Sequence, residues 1–286
     1  TAFEGHGSYD NRAASAGTVF IKYGTQPEGD LYIDANVVDG NGVPNGTAPG
    51  STPFTLIGFG VTTAVTESSL TTDSLVPLPP NGLTGVRINP DLEQGETFVI
   101  IGNTGNTITV TTPNEHGINF AAIAHVGAQY AGSYTFDNVT FRRGGNLILG
   151  DLLNVSGVLH VAEKGSITHY PATAVFTSRL DIAAGTVMID QGAKIDVTGR
   201  GYLGGKGDNE PGRTIGNVSG SARGAGGSYG GLGGSYQDNV PNSLYGSLTD
   251  PINLGSGGGA WGSPDGGDGG GLILITAHQI TLNGTI

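Results

Sequence analysis

The stretch AAGTVMIDQGAKIDVTG, residues 183–199, decides the fold class of this chain. Apolar and polar residues alternate over short runs, at Val187 and Ile189 and again at Ile195 and Val197, with a Gln-Gly turn between the runs. Alternation of this period indicates short, half-buried β-strands. Such short strands, each followed by a turn, are typical of a parallel β-helix, in which every coil buries its apolar side against the next coil.

The same pattern extends back to Ser133, and turns rich in Gly or Asn separate its strands. Its apolar pairs include Leu147 with Leu149, Leu153 with Val155, Leu159 with Val161, and Leu180 with Ile182. Glycine occupies 53 of the 286 positions and costs about 0.8–1 kcal/mol relative to Ala in a helix interior, so almost no helix is expected. The sequence therefore predicts an all-β chain built as a right-handed parallel β-helix.

The range 51–127 has a different character, with fewer Gly, more Thr and several Pro residues. Residues 97–111 predict a β-hairpin, and the turn sequence Asn-Thr-Gly-Asn at 103–106 is expected to supply positive-φ positions. We interpret 51–127 as a small antiparallel β module inserted between β-helix coils in 1–50 and in 128–286.

Glycine dominates residues 199–271. A free segment of this composition would be a flexible linker. Aromatic residues such as Tyr202 interrupt it, however, and a flexible Gly/Ser linker has no need of them. We therefore expect long ordered loops on the side of the β-helix, in which Gly permits close backbone approach and aromatic rings cover bare backbone.

The two ends of the chain are similar to each other. Residues 17–22 (GTVFIK) resemble residues 271–276 (GLILIT), and both follow a run rich in Gly or Ala. Self-similarity at a fixed offset is the signature of repeat architectures. The pattern also stops at Ile286 without a polar capping segment, so the sequence predicts one unit of a longer array that stacks head to tail on neighbouring repeats or on further copies.

Four phrases carry a family resemblance: KIDVTGRGYLGG at 194–205, GSGGGA at 255–260, GGGLILI at 269–275 and LNGTI at 282–286. Together they resemble the Gly-rich β-helical repeats of very large bacterial surface and adhesin-like proteins. The resemblance covers about the last third of the chain and the first forty residues, and the module at 51–127 lies outside it. It implies an extracellular, cell-surface location and a structural or adhesive role in a filament, and it brings no catalytic residues.

Charge and cysteine content exclude several function classes. With 12 Lys and Arg against 24 Asp and Glu, the net charge of −12 repels nucleic-acid phosphates and anionic lipid headgroups. The absence of Cys excludes disulfides, thiolate catalysis and cysteine-ligated metal sites. The acidic, Thr- and Asn-rich composition is typical of bacterial secreted proteins, and no membrane insertion is expected.

Catalysis would require acids that converge from neighbouring coils. The candidate acids on the strand ladder stand singly at strand ends, where Asp commonly bonds turn amides; they are Asp151, Asp181, Asp190 and Asp196. The only basic pair, Arg142-Arg143, is more typical of an exposed strand edge. We therefore predict a non-enzymatic protein without catalytic residues, with a β-helical polysaccharide lyase or hydrolase and a phage-type fibre segment as the alternatives.

Two kinds of binding site remain open in the Gly-rich loops. Acidic side chains on flexible loops suit a structural Ca²⁺, the one cofactor that the sequence suggests, and the candidate ligands are Asp208, Glu210, Asp265 and Asp268. Aromatic rings could stack on sugars of cell-surface glycans or could instead cover backbone, and the candidates are Tyr229, Tyr236, Tyr245 and Trp261.

Overall fold

The chain folds as an all-β protein, as predicted. The computed structural model describes residues 16–47, 50–247, 249–262 and 265–286. Within these ranges the helical elements are two short 3-10 turns, Phe120–Ala122 and Ile215–Asn217. The expectation of almost no helix is therefore confirmed.

Eighteen strands lie in the described residues, most of them short. They are β1 (Gly17–Ile21), β2 (Asp30–Asp34), β3 (Thr52–Pro53), β4 (Phe59–Val65), β5 (Ser69–Thr72), β6 (Arg87–Asn89), β7 (Phe98–Asn103), β8 (Thr107–Val110), β9 (Gln129–Phe136), β10 (Asn138–Arg142), β11 (Asn146–Leu149), β12 (Leu152–Val161), β13 (Ser166–His169), β14 (Leu180–Ile189), β15 (Lys194–Ile195), β16 (Arg213–Thr214), β17 (Val218–Ser219) and β18 (Ile273–Leu282).

A parallel ladder runs through β2, β10, β12 and β14 in that order, and β18 pairs with β14. Its register places Ile33, Phe141, Val161 and Ile189 side by side on successive strands. All four side chains are fully buried. Because side chains alternate between the two faces of a strand, this register stacks apolar residues into a continuous column.

A second sheet contains β3, β11, β13 and β15. The pairs β3–β11 and β13–β15 are parallel, and the latter sets Ile167 beside Ile195. Both of these side chains are buried, so this sheet contributes its own apolar column. The short, alternating strands predicted for 133–199 therefore form at β9 to β15.

Strands β4 to β8 pair antiparallel among themselves, and β4 and β6 also pair antiparallel with β9. The large sheet is therefore mixed, with parallel and antiparallel ladders that meet at β9. The antiparallel strands enclose an apolar cluster in which the Phe98 and Phe120 rings meet edge to face at 5.1 Å.

The predicted hairpin at 97–111 is confirmed by the antiparallel pair β7–β8, but the expected reason for its turn is wrong. None of residues 103–106 has a positive φ. Instead, the Thr104 hydroxyl accepts a hydrogen bond from the Thr107 amide at 3.1 Å, and the Thr104 amide donates to the Thr107 carbonyl at 2.9 Å. A side-chain bond to a nearby amide thus replaces the backbone conformation that Gly was expected to provide.

The chain divides into two compact units. Unit 1 comprises the described residues of Thr1–Thr168 together with Asp181–Asp196 and Ile275–Ile286, and unit 2 comprises His169–Leu180 and Val197–Leu274. The antiparallel strands β4 to β8 belong to unit 1. The boundaries at residues 50/51 and 127/128 stay a prediction, and residues 1–15 and 48–49 of the predicted first coils lie outside the described residues.

Unit 2 is organised around the Gly-rich segment 255–260, which has no regular strand assignment. Its backbone amides donate in different directions: Gly257 to the Arg213 carbonyl, Gly258 to Gly267 and Gly259 to Ala225, each at 2.9–3.0 Å. The segment is thus surrounded by neighbouring extended segments that it bonds through main-chain groups. Main-chain bonding of this kind satisfies buried peptide groups without a flat β-sheet.

Glycine is required in unit 2 by close approach of backbones. A Cβ atom on Gly257 would overlap the Leu203 carbonyl, and one on Gly259 would overlap the Ala222 carbonyl. Neither glycine has a positive φ. The absence of a side chain, rather than an unusual backbone conformation, is what these positions need.

Candidate functional site

Asp151 lies fully buried immediately before β12 and binds backbone amides. Its carboxylate accepts hydrogen bonds from Ile57 at 3.0 Å, from Gly58 and from Gly132. Burial raises the pKa of Asp151 to about 6, and the three amides oppose that rise. Asp151 therefore bonds loop amides, as an Asp at a strand end commonly does.

Two of the other candidate acids of the ladder are engaged with basic side chains. The Asp190 carboxylate lies 2.9 Å from His160 Nε2, and the Asp196 carboxylate lies 3.0 Å from Lys194 Nζ. Asp181 is on β14 beside Leu152 of β12. Among the described residues, no group of three or more His, Asp or Glu side chains is close enough to hold a metal ion. Asp190 and Asp196 thus lie in separate ion pairs.

The basic pair Arg142-Arg143 divides between two contacts. The Arg142 guanidinium lies 4.5 Å from the centre of the Tyr32 ring. Arg143 donates from Nε to Asp34 at 2.9 Å and binds the same carboxylate through a second nitrogen. This bidentate pairing with the buried Asp34 raises the pKa of Arg143, so Arg143 is a permanent cation rather than a proton-abstracting base.

The predicted calcium ligands lie in exposed loops of unit 2, where three of the four bond main chain or Lys206. Asp265 accepts from the Gly207 amide at 2.8 Å, which lowers the pKa of its carboxyl, and its other oxygen lies 3.5 Å from Lys206 Nζ. Asp268 accepts from the Gly204 amide at 2.7 Å. Glu210 accepts from the Lys206 amide at 3.2 Å, and Asp208 is exposed. The Lys206 ammonium lies beside Asp265, so a metal ion would compete with it for this carboxylate.

Tyr229 and Tyr245, two of the aromatic candidates for glycan contact, form a pair. Their rings meet edge to face at 5.2 Å. The Tyr245 hydroxyl donates to the Leu254 carbonyl and accepts from Ser256, and the Tyr229 ring lies against Gly246. Both rings are half-buried and pack on the backbone of unit 2.

Tyr236 and Trp261 form the second pair, with ring centres 4.6 Å apart. The Arg223 guanidinium lies over the Trp261 ring at 3.6 Å from its centre, and the Tyr236 ring lies against Gly224. Tyr236 is 40% exposed. The structure therefore brings the four aromatic candidates together as two separate pairs, of which the second is the more accessible.

A groove that the sequence analysis missed lies in unit 1, on the outer face of the parallel ladder. Its volume is about 410 Å³, and residues from β9, β12, β14 and β18 line it. They are Thr135, Asn154, Val155, Ser156, Ala183, Ala184, Gly185, Thr276, Ala277 and His278. The one signal in the sequence was the outward position of residues such as Asn154 and Ala183 in the alternating pattern, which alone does not distinguish a groove from ordinary solvated surface.

Comparisons of this chain with protein-family models, with curated proteins and with solved structures find no match. Within the described residues, no helix is both long and apolar enough to cross a membrane. A functional interpretation therefore rests on the residues and contacts described above.

Proposed function

We propose that this chain is a non-catalytic structural and adhesive segment of a large secreted bacterial surface protein. Its parallel ladders act as coils of a right-handed β-helix that stack head to tail into a stiff rod, with an antiparallel module and Gly-rich loops as decorations. The resemblance of the Gly-rich phrases to bacterial surface repeats supports the extracellular location. The stacking partners are neighbouring repeats or further copies of the chain.

The parallel register supports the β-helical part of the proposal. Strands β10, β12 and β14 follow one another in the sequence and pair in parallel, which requires the chain to cross over between each strand and the next. Crossover connections between parallel strands are right-handed in about 98% of cases. Strands β11, β13 and β15 lie in the intervening stretches and form the second sheet, as the faces of successive coils would.

The observation that carries the stacking proposal is the half-exposed end of each apolar column. The Asn283 amide donates to the Ile189 carbonyl at 2.8 Å, which sets Leu282 beside Ile189 in a parallel register. The Ile195 amide donates to the Thr285 carbonyl and likewise sets Ile286 beside Ile195. Leu282 and Ile286 are 50% and 49% exposed, whereas Ile189 and Ile195 are at most 1% exposed.

A further coil would bury these side chains and bond the open edge of β18. Strand β18 pairs with β14 on one side, and its ten residues include no Pro, Lys, Arg, Asp or Glu, the residues that commonly protect a strand edge from pairing. At the opposite edge of the ladder, Phe20 of β1 stands beside Leu31 and is 54% exposed. Among the described residues, apolar side chains are thus exposed at both ends of the ladder, as end-to-end stacking requires.

Sedimentation velocity over a concentration series, together with electron microscopy, tests the proposal. The unmodified chain is expected to form elongated particles that lengthen with concentration. Leu282→Lys should prevent assembly by placing a charge at the end of the apolar column, while Thr281→Lys, on the opposite face of the same strand, should still assemble. Compact single particles at every concentration would contradict the stacking proposal.

A further inference from the structure

We propose that the groove in unit 1 binds a neutral oligosaccharide across the strands of the parallel ladder. This site is separate from the aromatic loops and does not depend on head-to-tail stacking. The inference starts from the row formed by Thr135, Asn154 and Ala183, which are direct neighbours on β9, β12 and β14. Asn154 lies between the buried Leu153 and Val155, so the row points away from the core.

The row has the extent of a short linear ligand. Neighbouring strands are about 4.8 Å apart, and the groove crosses β9, β12 and β14 and continues to Thr276 and His278 of β18. Three steps between strands give a length of about 14 Å. The β12–β14 register shifts between Val155 and Val158, and the groove lies at this irregularity of the ladder.

Polar groups in the groove are available to a ligand. The Asn154 amide nitrogen donates to Ser133 Oγ at 2.8 Å, which directs the amide and leaves its Oδ1 without a protein donor among the described residues. Three further groups of the groove make no hydrogen bond to the described residues of the protein: the hydroxyls of Thr135 and Thr276 and the ring of His278. The groove thus offers two hydroxyls, an amide oxygen and an imidazole at its surface.

Some polar side chains elsewhere on the outer face are bonded to one another. His160 pairs with Asp190 at 2.9 Å, and Asn138 donates to Asp30 at 2.8 Å. The groove therefore gathers several polar groups with unused hydrogen-bonding capacity in one concave place. A small number of convergent polar groups over an apolar floor is the usual composition of a ligand site.

The lining selects an uncharged ligand that is rich in hydroxyl groups. Among the described residues, no Asp, Glu, Lys or Arg lines the groove, so it holds no oppositely charged partner for a phosphate, carboxylate or amine, and the net charge of −12 repels anionic polymers. Ala183 and Gly185 give the groove a floor of small residues on which the C–H faces of sugar rings can lie. The hydroxyls and the Asn154 oxygen surround that floor and can bond ring hydroxyls.

Isothermal titration calorimetry of the full chain with short gluco-, manno- and galacto-oligosaccharides tests the site. One of these series should bind to the unmodified chain. Ala183→Trp should abolish binding by filling the floor, whereas Gln191→Trp, exposed in the turn after β14, should leave it intact. Thr276→Val removes one hydroxyl at nearly constant volume and should weaken binding about 2- to 10-fold, while Thr281→Val, on the same strand outside the groove, should not.

Three results would overturn the inference. One is the absence of binding to all three series, and another is binding that Ala183→Trp leaves unchanged. The third is binding that Trp261→Ala abolishes and Ala183→Trp does not, because this result would assign sugar contact to the aromatic loops of unit 2. Uncharged peptides titrated in parallel control for the ligand class, and binding of peptides without sugars would also contradict the proposal.

Discussion

Units 1 and 2 bury their chains by different means. In unit 1, branched and aromatic side chains stack into columns such as Ile33, Phe141, Val161 and Ile189, all at 0% exposure. In unit 2, the apolar cluster is small and consists of Tyr202, Leu254 and Leu272, with Tyr245 and Leu274 against it. Most of its interior is Gly-rich backbone bonded to backbone, so close packing depends on main-chain contact rather than on side-chain volume.

A buried polar residue takes the place of a larger apolar core in unit 2. The Asn242 carboxamide accepts from the Ser221 hydroxyl and from the Ser228 amide, both at 2.8 Å, and donates to Thr214 Oγ1 at 3.0 Å. Asn242 is 7% exposed, and Ser221 and Ser228 are fully buried. A unit with little apolar side-chain volume depends on buried hydrogen bonds of this kind, because an unsatisfied buried polar group costs about 1–3 kcal/mol.

The largest expected effect is on the apolar column of unit 1. Phe141→Ala should lower the free energy of unfolding by about 3–5 kcal/mol, since it leaves a cavity between Ile33 and Val161. Phe20→Ala is the matched control, because Phe20 is 54% exposed and its removal leaves no enclosed cavity. Urea unfolding followed by fluorescence measures both. Equal losses for the two variants would show that the column does not carry the stability of unit 1.

Acid is expected to weaken unit 2 through His169, which is fully buried. His169 Nδ1 donates to the Tyr170 carbonyl at 2.8 Å, and Nε2 accepts from the Leu272 amide at 3.2 Å, so the ring is neutral. Burial lowers the pKa of His169 from 6.5 to about 4. The unfolded chain therefore binds more protons, and stability should fall as the pH drops from 6.5 towards 4, by about 3 kcal/mol at most.

Hydrogen exchange of unit 2 amides between pH 7 and pH 4, corrected for intrinsic rates, measures this loss. His169→Gln keeps one donor and one acceptor and should remove most of the pH dependence. Exchange that has the same pH dependence in both proteins would assign the acid sensitivity to other groups.

The column of unit 1 could be predicted from the sequence, because alternation has a period of two and directs residues such as Val187 and Ile189 to one face. The pairing of strands could not be predicted, because the register depends on which strands become neighbours in space. The interior of unit 2 is further from prediction. A glycine at position 257 indicates either a close approach of another backbone or an unusual backbone conformation. The backbone that approaches it belongs to Leu203, which is distant in the chain, and no local pattern identifies that contact.

The candidate sites could be predicted to different degrees for the same reason. Asp151 bonds amides as expected of an Asp at a strand end, although two of its partners, Ile57 and Gly58, are far away in sequence. Aromatic spacing could not show which rings pair with each other. The groove is assembled from four strands, and its floor is made of small residues such as Ala183 that have no chemical signature in the sequence.

Two glycine substitutions should show whether unit 2 needs Gly at particular close contacts or only a high Gly content. Gly257→Ala forces a Cβ against the Leu203 carbonyl and should cost about 1–3 kcal/mol through displacement of backbone. Gly267→Ala is the control, because a Cβ there meets no atom within 4 Å and its φ is not positive. Thermal unfolding measures both variants. If both are equally tolerated, the Gly-rich interior is less closely packed than the structure indicates.

The smallest expected effect is a pH dependence of opposite sign in unit 1. His116 Nδ1 lies 2.8 Å from a Glu96 oxygen on an exposed surface, and this hydrogen bond raises the pKa of His116 above 6.5 and lowers that of Glu96 below 4.5. The pair contributes its full stability between pH 4.5 and pH 6.5, and this contribution is lost as the pH rises through the pKa of His116. Because the pair is exposed, salt should weaken it.

An NMR titration of His116 should therefore give a higher pKa than the same titration in the Glu96→Gln variant, and the difference should shrink in high salt. An identical pKa in the two proteins would mean that the pair is not formed in solution. Protonation of His116 strengthens its pair with Glu96, whereas protonation of His169 opposes the burial of that ring. Mild acid should therefore loosen unit 2 and leave the surface pair of unit 1 intact. Hydrogen exchange measured segment by segment in a single pH series would then distinguish the acid response of the Gly-rich interior of unit 2 from that of the apolar column of unit 1.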